Sequence, residues 1–132
     1  MKNIPAALAL TLLSGVGLAD IAQDDALLTL ARDRGCLACH AIDRAPAASA
    51  TPPLGPAWRD LAARYKSVKG AQQQLTARTM TGSSGGTDRS TSYANHWGEQ
   101  VSGGYMPSHR SAVSEAEAAQ LVAFILALDP KN

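Results

Sequence analysis

The chain has 132 residues, 12 Lys and Arg against 11 Asp and Glu, and a formal net charge of +1. Its one charged residue before Ala19 is Lys2, so from Asp20 onward 11 basic residues face 11 acidic ones, and neither nucleic acid nor an anionic membrane surface has an electrostatic basis as a partner. Over those 113 residues only 18 are Leu, Ile, Val or Phe while 21 are Ala, which is too little large apolar bulk for a domain of that size to build a core from protein alone.

Residues 1–19 open with Lys2, continue with an apolar, Ala- and Leu-rich stretch from Ile4 to Leu18, and end in the small-x-small triplet Gly17-Leu18-Ala19. That is the layout of a cleaved secretory signal. The stretch is broken by Pro5, Ser14, Gly15 and Gly17 and falls short of the roughly 20 residues that span a bilayer. The expected domains are therefore a signal peptide over 1–19 and one mature, secreted domain over 20–132 with no stable membrane insertion.

A short helix is predicted from Asp24 to Arg34, with Leu27, Leu30 and Ala31 on one face and Gly35 as its stop. The next residues are Cys36-Leu37-Ala38-Cys39-His40. In a CxxCH pentapeptide the two thiols add across the vinyl groups of a haem and the following imidazole becomes the proximal iron ligand. A disulfide would leave this spacing unexplained. Zinc would need more ligands than His96 and His109 supply, and a thioredoxin-like CxxC would need a βαβ pattern that is missing. One covalent haem c is thus the expected cofactor, and a buried porphyrin would supply the missing apolar bulk.

Residues 45–56 are rich in Ala, Pro, Ser and Thr and read as an extended loop. A second helix is predicted from Ala57 to Lys66, where Trp58, Leu61, Ala62 and Tyr65 share a face and Pro56 suits the first turn. A third, weaker pattern covers Gly70 to Met80. Thr81 to Asn95 is predominantly Gly, Ser and Thr and reads as a long loop. The last helix is clearest: Ser114 and Glu117 stand at capping-box spacing, Ala118, Leu121, Val122, Ile125 and Leu128 form a stripe, and Pro130 ends it. No alternating strand pattern occurs, so the class is all-α, with four to five short helices and long loops around one haem.

The axial pair decides whether a haem carries electrons or binds small molecules. Candidates for the position trans to His40 are Met80, His96, Met106 and His109. Met106 is favoured because Gly103-Gly104-Tyr105-Met106-Pro107 makes an extended, proline-locked segment that can hold a thioether against iron. Met80 is explained by helix packing, and the two histidines by loop hydrogen bonds.

Four ordered segments carry a family resemblance: Arg34 to Asp43, Gly55 to Tyr65, Met106-Pro107, and the terminal helix. The chain resembles a short bacterial class I cytochrome c, with a single haem and His/Met ligation. The resemblance implies that the Pro56 carbonyl accepts a proton from the ring of His40, and that Trp97 and Arg78 hydrogen-bond the haem propionates. It implies that the first and last helices cross near Gly35, whose small size lets it meet the Phe124 face; Ala31 stands where the family often has an aromatic residue. It also implies a non-enzymatic, periplasmic one-electron carrier, a monomer that docks transiently with redox partner proteins at the exposed haem edge. That edge is expected among Leu37, Ala38, Ala41 and Met106-Pro107. The competing functions are a dedicated haem subunit of a periplasmic dehydrogenase or oxidase, and a gas sensor or peroxidase-like enzyme with a labile distal ligand. The loops over 45–55 and 83–96 are longer than in the shortest family members and are candidates for a partner surface.

Overall fold

A computed structural model of the chain describes residues 17–46, 51–83, 97 and 100–131. Four α-helices are fully placed among the described residues: α1 Gly17–Asp33, α2 Trp58–Tyr65, α3 Ala71–Thr81 and α4 Glu115–Ala127. A 3₁₀ turn, Cys36–Ala38, lies between α1 and α2, and no strand occurs among the described residues. The all-α class stands. No helix among the described residues is long and apolar enough to cross a membrane.

Helix α1, described over Gly17–Asp33, is already helical seven residues before the expected start at Asp24. Leu18 to Gln23 contains no helix breaker, so the backbone continues through the expected cleavage position. At the other end Arg34 N–H reaches Leu30 O at 2.9 Å, Gly35 N–H reaches Arg32 O at 3.1 Å, and Gly35 takes φ 79°, ψ 8°. This left-handed conformation is why glycine stands there. The expected close approach of Gly35 to the Phe124 face is corrected, because a Cβ at Gly35 would meet nothing within 4 Å. The small residue in the α1–α4 core is Ala31, fully buried with Leu27, Trp58, Leu121 and Ile125. Phe124 instead packs edge-on against Trp58, with ring centroids 6.0 Å apart and planes at 80°.

The start of α2 lacks a side-chain cap, since Ala57 occupies the N-cap. Its first N–H groups are satisfied from a distance: Trp58 N–H bonds Ala41 O at 2.9 Å and Arg59 N–H bonds Ile42 O at 3.1 Å. Arg59 then pairs with Asp43 at 2.6 Å and donates to Asp129 O at 2.6 Å, while Arg44 pairs with Asp60. The segment after His40 is in this way laid along the first turn of α2. Pro56 consequently precedes the N-cap and is not in the first helical turn, a second correction.

Helices α2 and α3 both pack on α4, whose buried stripe is Ala118, Leu121, Val122 and Ile125. The expected capping box is complete: Glu117 N–H donates to Ser114 Oγ at 3.2 Å and Ser114 N–H to Glu117 Oε2 at 2.7 Å. Arg34 also reaches Glu117 at 3.1 Å, tying the end of α1 to α4. The Ser114 backbone and hydroxyl, followed by Arg34, hold the Glu117 carboxyl below its ordinary range. Stability from a depressed carboxyl is present above its unfolded pKa and lost as pH falls through the folded one. Ser114→Ala is expected to lower stability by about 1 kcal/mol in denaturant melts at neutral pH, and the difference should shrink below the carboxylate range.

Candidate functional site

The 3₁₀ turn gathers the CxxCH residues. Ala38 N–H bonds Gly35 O at 3.2 Å, and Cys39 and His40 N–H both bond Cys36 O, at 3.3 and 3.1 Å. Cys36 is half-buried and Cys39 exposed, and both are free thiols. Burial raises the Cys36 pKa, against a backbone hydrogen bond that lowers it.

His40 Nδ1 lies 2.7 Å from Pro56 O. A carbonyl only accepts, so Nδ1 carries the proton and Nε2 keeps its lone pair for a metal. Burial pushes the imidazole below its ordinary pKa, opposed by the Pro56 carbonyl, with a smaller lowering from His109. A neutral ring is the ligand form. Gly55 makes this geometry possible. Its N–H bonds Cys39 O at 2.9 Å, and a Cβ there would lie 2.8 Å from His40 Cε1.

Cys36, His40 and Met106 line one cavity of about 300 Å³ between α2, α3 and α4. Trp58, Leu61, Leu75, Leu121, Val122 and Ile125 supply its apolar walls, and Tyr65, Gln74, Arg78 and Trp97 its polar ones. Trp97 is buried, with the Arg64 guanidinium 4.9 Å from its ring centroid. The Cys36 thiol on the wall, the Cys39 thiol in the adjoining smaller cleft, an oriented imidazole, a thioether and polar side chains that can donate hydrogen bonds match the needs of a large flat apolar group carrying a metal and two carboxylates. A covalent haem fits this donor set.

The other candidate ligands are placed differently. Met80 is absent from the cavity wall, and its carbonyl accepts from Ser108 Oγ at 2.6 Å. His109 lines a smaller neighbouring cleft with Cys39, His40, Met106 and Pro107, and its Nδ1–H donates to Pro107 O at 2.9 Å. His96 and most of the loop over 83–96 lie outside the described residues.

Several positioning residues were not anticipated. Ser102 N–H bonds Pro53 O at 2.8 Å and Gly103 N–H bonds Leu54 O at 3.0 Å, so the Met106 segment rests on the backbone that leads into Gly55 and Pro56. The segments that present His40 and Met106 are thereby joined. The glycine pair Gly103-Gly104 was the available sign of close backbone approach; nothing local marked Leu54.

Comparison with known proteins agrees with this site. The cytochrome c family profile matches residues 28–129. Cytochrome c-551 of Pseudomonas aeruginosa is 34% identical over 122 residues, covering 92% of this chain and 95% of the relative. Cytochrome c2 of Rhodocyclus tenuis is 31% identical over 99 residues, covering 75% and 88%. The crystal structure of Nitrosomonas europaea cytochrome c552 superposes with a TM-score of 0.52 at 29% identity, covering 75% of this chain and 95% of that one. The chain therefore belongs to the cytochrome c family, as an electron-transfer protein that carries haem c bound covalently through Cys36 and Cys39.

Proposed function

We propose that the mature chain, residues 20–132, is a periplasmic, monomeric one-electron carrier in which His40 and Met106 are the two axial ligands. The observation that carries this reading is the shared cavity: His40, with Nδ1 committed to Pro56, and Met106 both line the space onto which Cys36 opens. When bound, the haem supplies the ferrous/ferric couple. The protein residues hold it still. His40 is oriented and made more basic by the Pro56 carbonyl. Met106 offers a soft thioether, which favours the ferrous state, and the apolar walls disfavour the additional ferric charge. Arg78 and Trp97 are the donors to the propionates, supported by their positions on the polar wall.

Both axial positions being filled favours electron transfer over gas binding. The native ferric protein, isolated from the periplasm with Asp20 as its first residue, should show the sulfur-to-iron charge-transfer band. Its ferrous form should bind carbon monoxide slowly. Rapid stoichiometric binding at neutral pH would overturn the ligation.

Docking is proposed at the haem edge beside the thioether links. Ala38 and Ala41 are exposed there, and Leu54 and Tyr105, 54% and 65% exposed, border the smaller cleft with Cys39 and Pro107. This surface is apolar, so contacts are brief and weakly steered by charge. Added salt should slow transfer to the physiological partner only slightly, and a steep ionic-strength dependence would contradict this mode.

A further inference from the structure

We infer that Ser83 is a positioning residue for Met106 and sets how firmly the thioether stays on the iron. This rests on the proposal that Met106 is the axial ligand. Ser83 follows the C-terminal cap of α3 and is only 1% exposed, although serine is ordinarily a surface residue. Its backbone N–H and its hydroxyl both go to one residue. Ser83 N–H donates to Met106 O at 2.9 Å, and Ser83 Oγ accepts from Met106 N–H at 2.7 Å.

The geometry of this reciprocal pair matters more than its number of bonds. The Met106 N–H lies in the peptide plane before its Cα, and the Met106 carbonyl lies in the plane after it. Holding both planes fixes φ and ψ of Met106 and so the direction of its Cα–Cβ bond. Met106 cannot turn its side chain away by a backbone rotation unless both bonds to Ser83 break. The next two residues extend the attachment: Ser108 Oγ donates to Met80 O at 2.6 Å and His109 N–H to Thr79 O at 3.0 Å. These are carbonyls of the last turn of α3, which lack partners within the helix. The same turn carries Arg78 and Thr79 to the cavity wall, so the ligand and that wall are held by one helix end.

A serine that merely filled space would influence stability alone. A positioning serine changes ligand lability, and the two are separable in the holoprotein by comparing Ser83→Ala with Ser114→Ala. Each removes one hydroxyl that accepts a backbone N–H, but Ser114 lies in the cap of α4, away from the Met106 segment. In Ser83→Ala the ferrous protein should bind carbon monoxide about tenfold faster, the scale of one buried amide left unpaired, and its ferric sulfur-to-iron band should weaken. Ser114→Ala should match the native protein in both. Equal rates and band intensities in native protein, Ser83→Ala and Ser114→Ala would overturn the inference. Hydrogen exchange in the native holoprotein provides a check that needs no variant to fold: the Met106 amide should be strongly protected, and free exchange would also overturn it. If the native protein lacks the sulfur band, or Met106→Ala retains it, the ligand assignment itself fails. A band lost in Met106→Ala alongside native behaviour in Ser83→Ala removes only the role of Ser83.

Discussion

Met106→Ala should abolish the ferric sulfur-to-iron charge-transfer band, open the ferrous iron to fast stoichiometric carbon monoxide binding, and lower the reduction potential. The drop should be on the order of 0.1 V or more, within the roughly 0.8 V that axial ligation can span in haem proteins. The direction follows from ligand softness: a thioether stabilises ferrous iron, and water or a nitrogen donor in its place stabilises ferric iron. Placement of the alternatives supports a large effect. Met80 is not on the cavity wall, and His109 lines the smaller cleft with its Nδ1–H held by Pro107 O. A sulfur band that survives the substitution would mean that another methionine ligates the iron.

Loss of the haem should unfold the protein. A bound haem would occupy the cavity of about 300 Å³ and cover its apolar walls. Without it Leu61, Leu75, Leu121, Val122 and Ile125 face water there, and each such side chain fully buried is worth about 1.5–3 kcal/mol. A domain of this size has a total stability of about 5–15 kcal/mol. Few side chains are available to close the cleft: the 113 residues from Asp20 contain 18 Leu, Ile, Val and Phe in all. Purified, haem-free protein, prepared from the mature native chain or from a Cys36→Ser, Cys39→Ser variant, is expected to lack native helical dichroism and a cooperative melt. Native dichroism in either preparation would show that the protein core suffices without the cofactor.

Local signals in the chain were strong wherever the structural cause was local. The capping pair Ser114 and Glu117 and the apolar stripe behind it located α4 to within a residue, because both depend on spacing along one helix. The bounds of α2 and α3 came within one residue for the same reason. The helical stretch before Asp24 was missed because Leu18 to Gln23 contains neither a cap nor a breaker, and propensity alone marks no beginning. Gly35 was expected both to stop α1 and to serve packing; its φ of 79° fits the stop, while the open space where a Cβ would stand removes the packing role. A glycine in the sequence announces permission, without distinguishing conformational freedom from close approach.

What the sequence by itself determined is the chemistry: two thiols and an imidazole at the spacing of haem attachment, a thioether in a proline-locked segment, and a set of helices too poor in bulk to stand without a cofactor. The contact of His40 Nδ1 with Pro56 O, 16 residues away, was implied by the family resemblance and by no local pattern. Only the tertiary structure showed that Met106 N–H meets Ser83 Oγ, 23 residues away, and that the segments bearing His40 and Met106 meet through Gly103 and Leu54. Each of these hydrogen bonds uses at least one backbone group of a segment distant along the chain. Backbone donors and acceptors are nearly identical at every residue, so their pairing leaves almost no trace in residue type and is settled only when the helices pack.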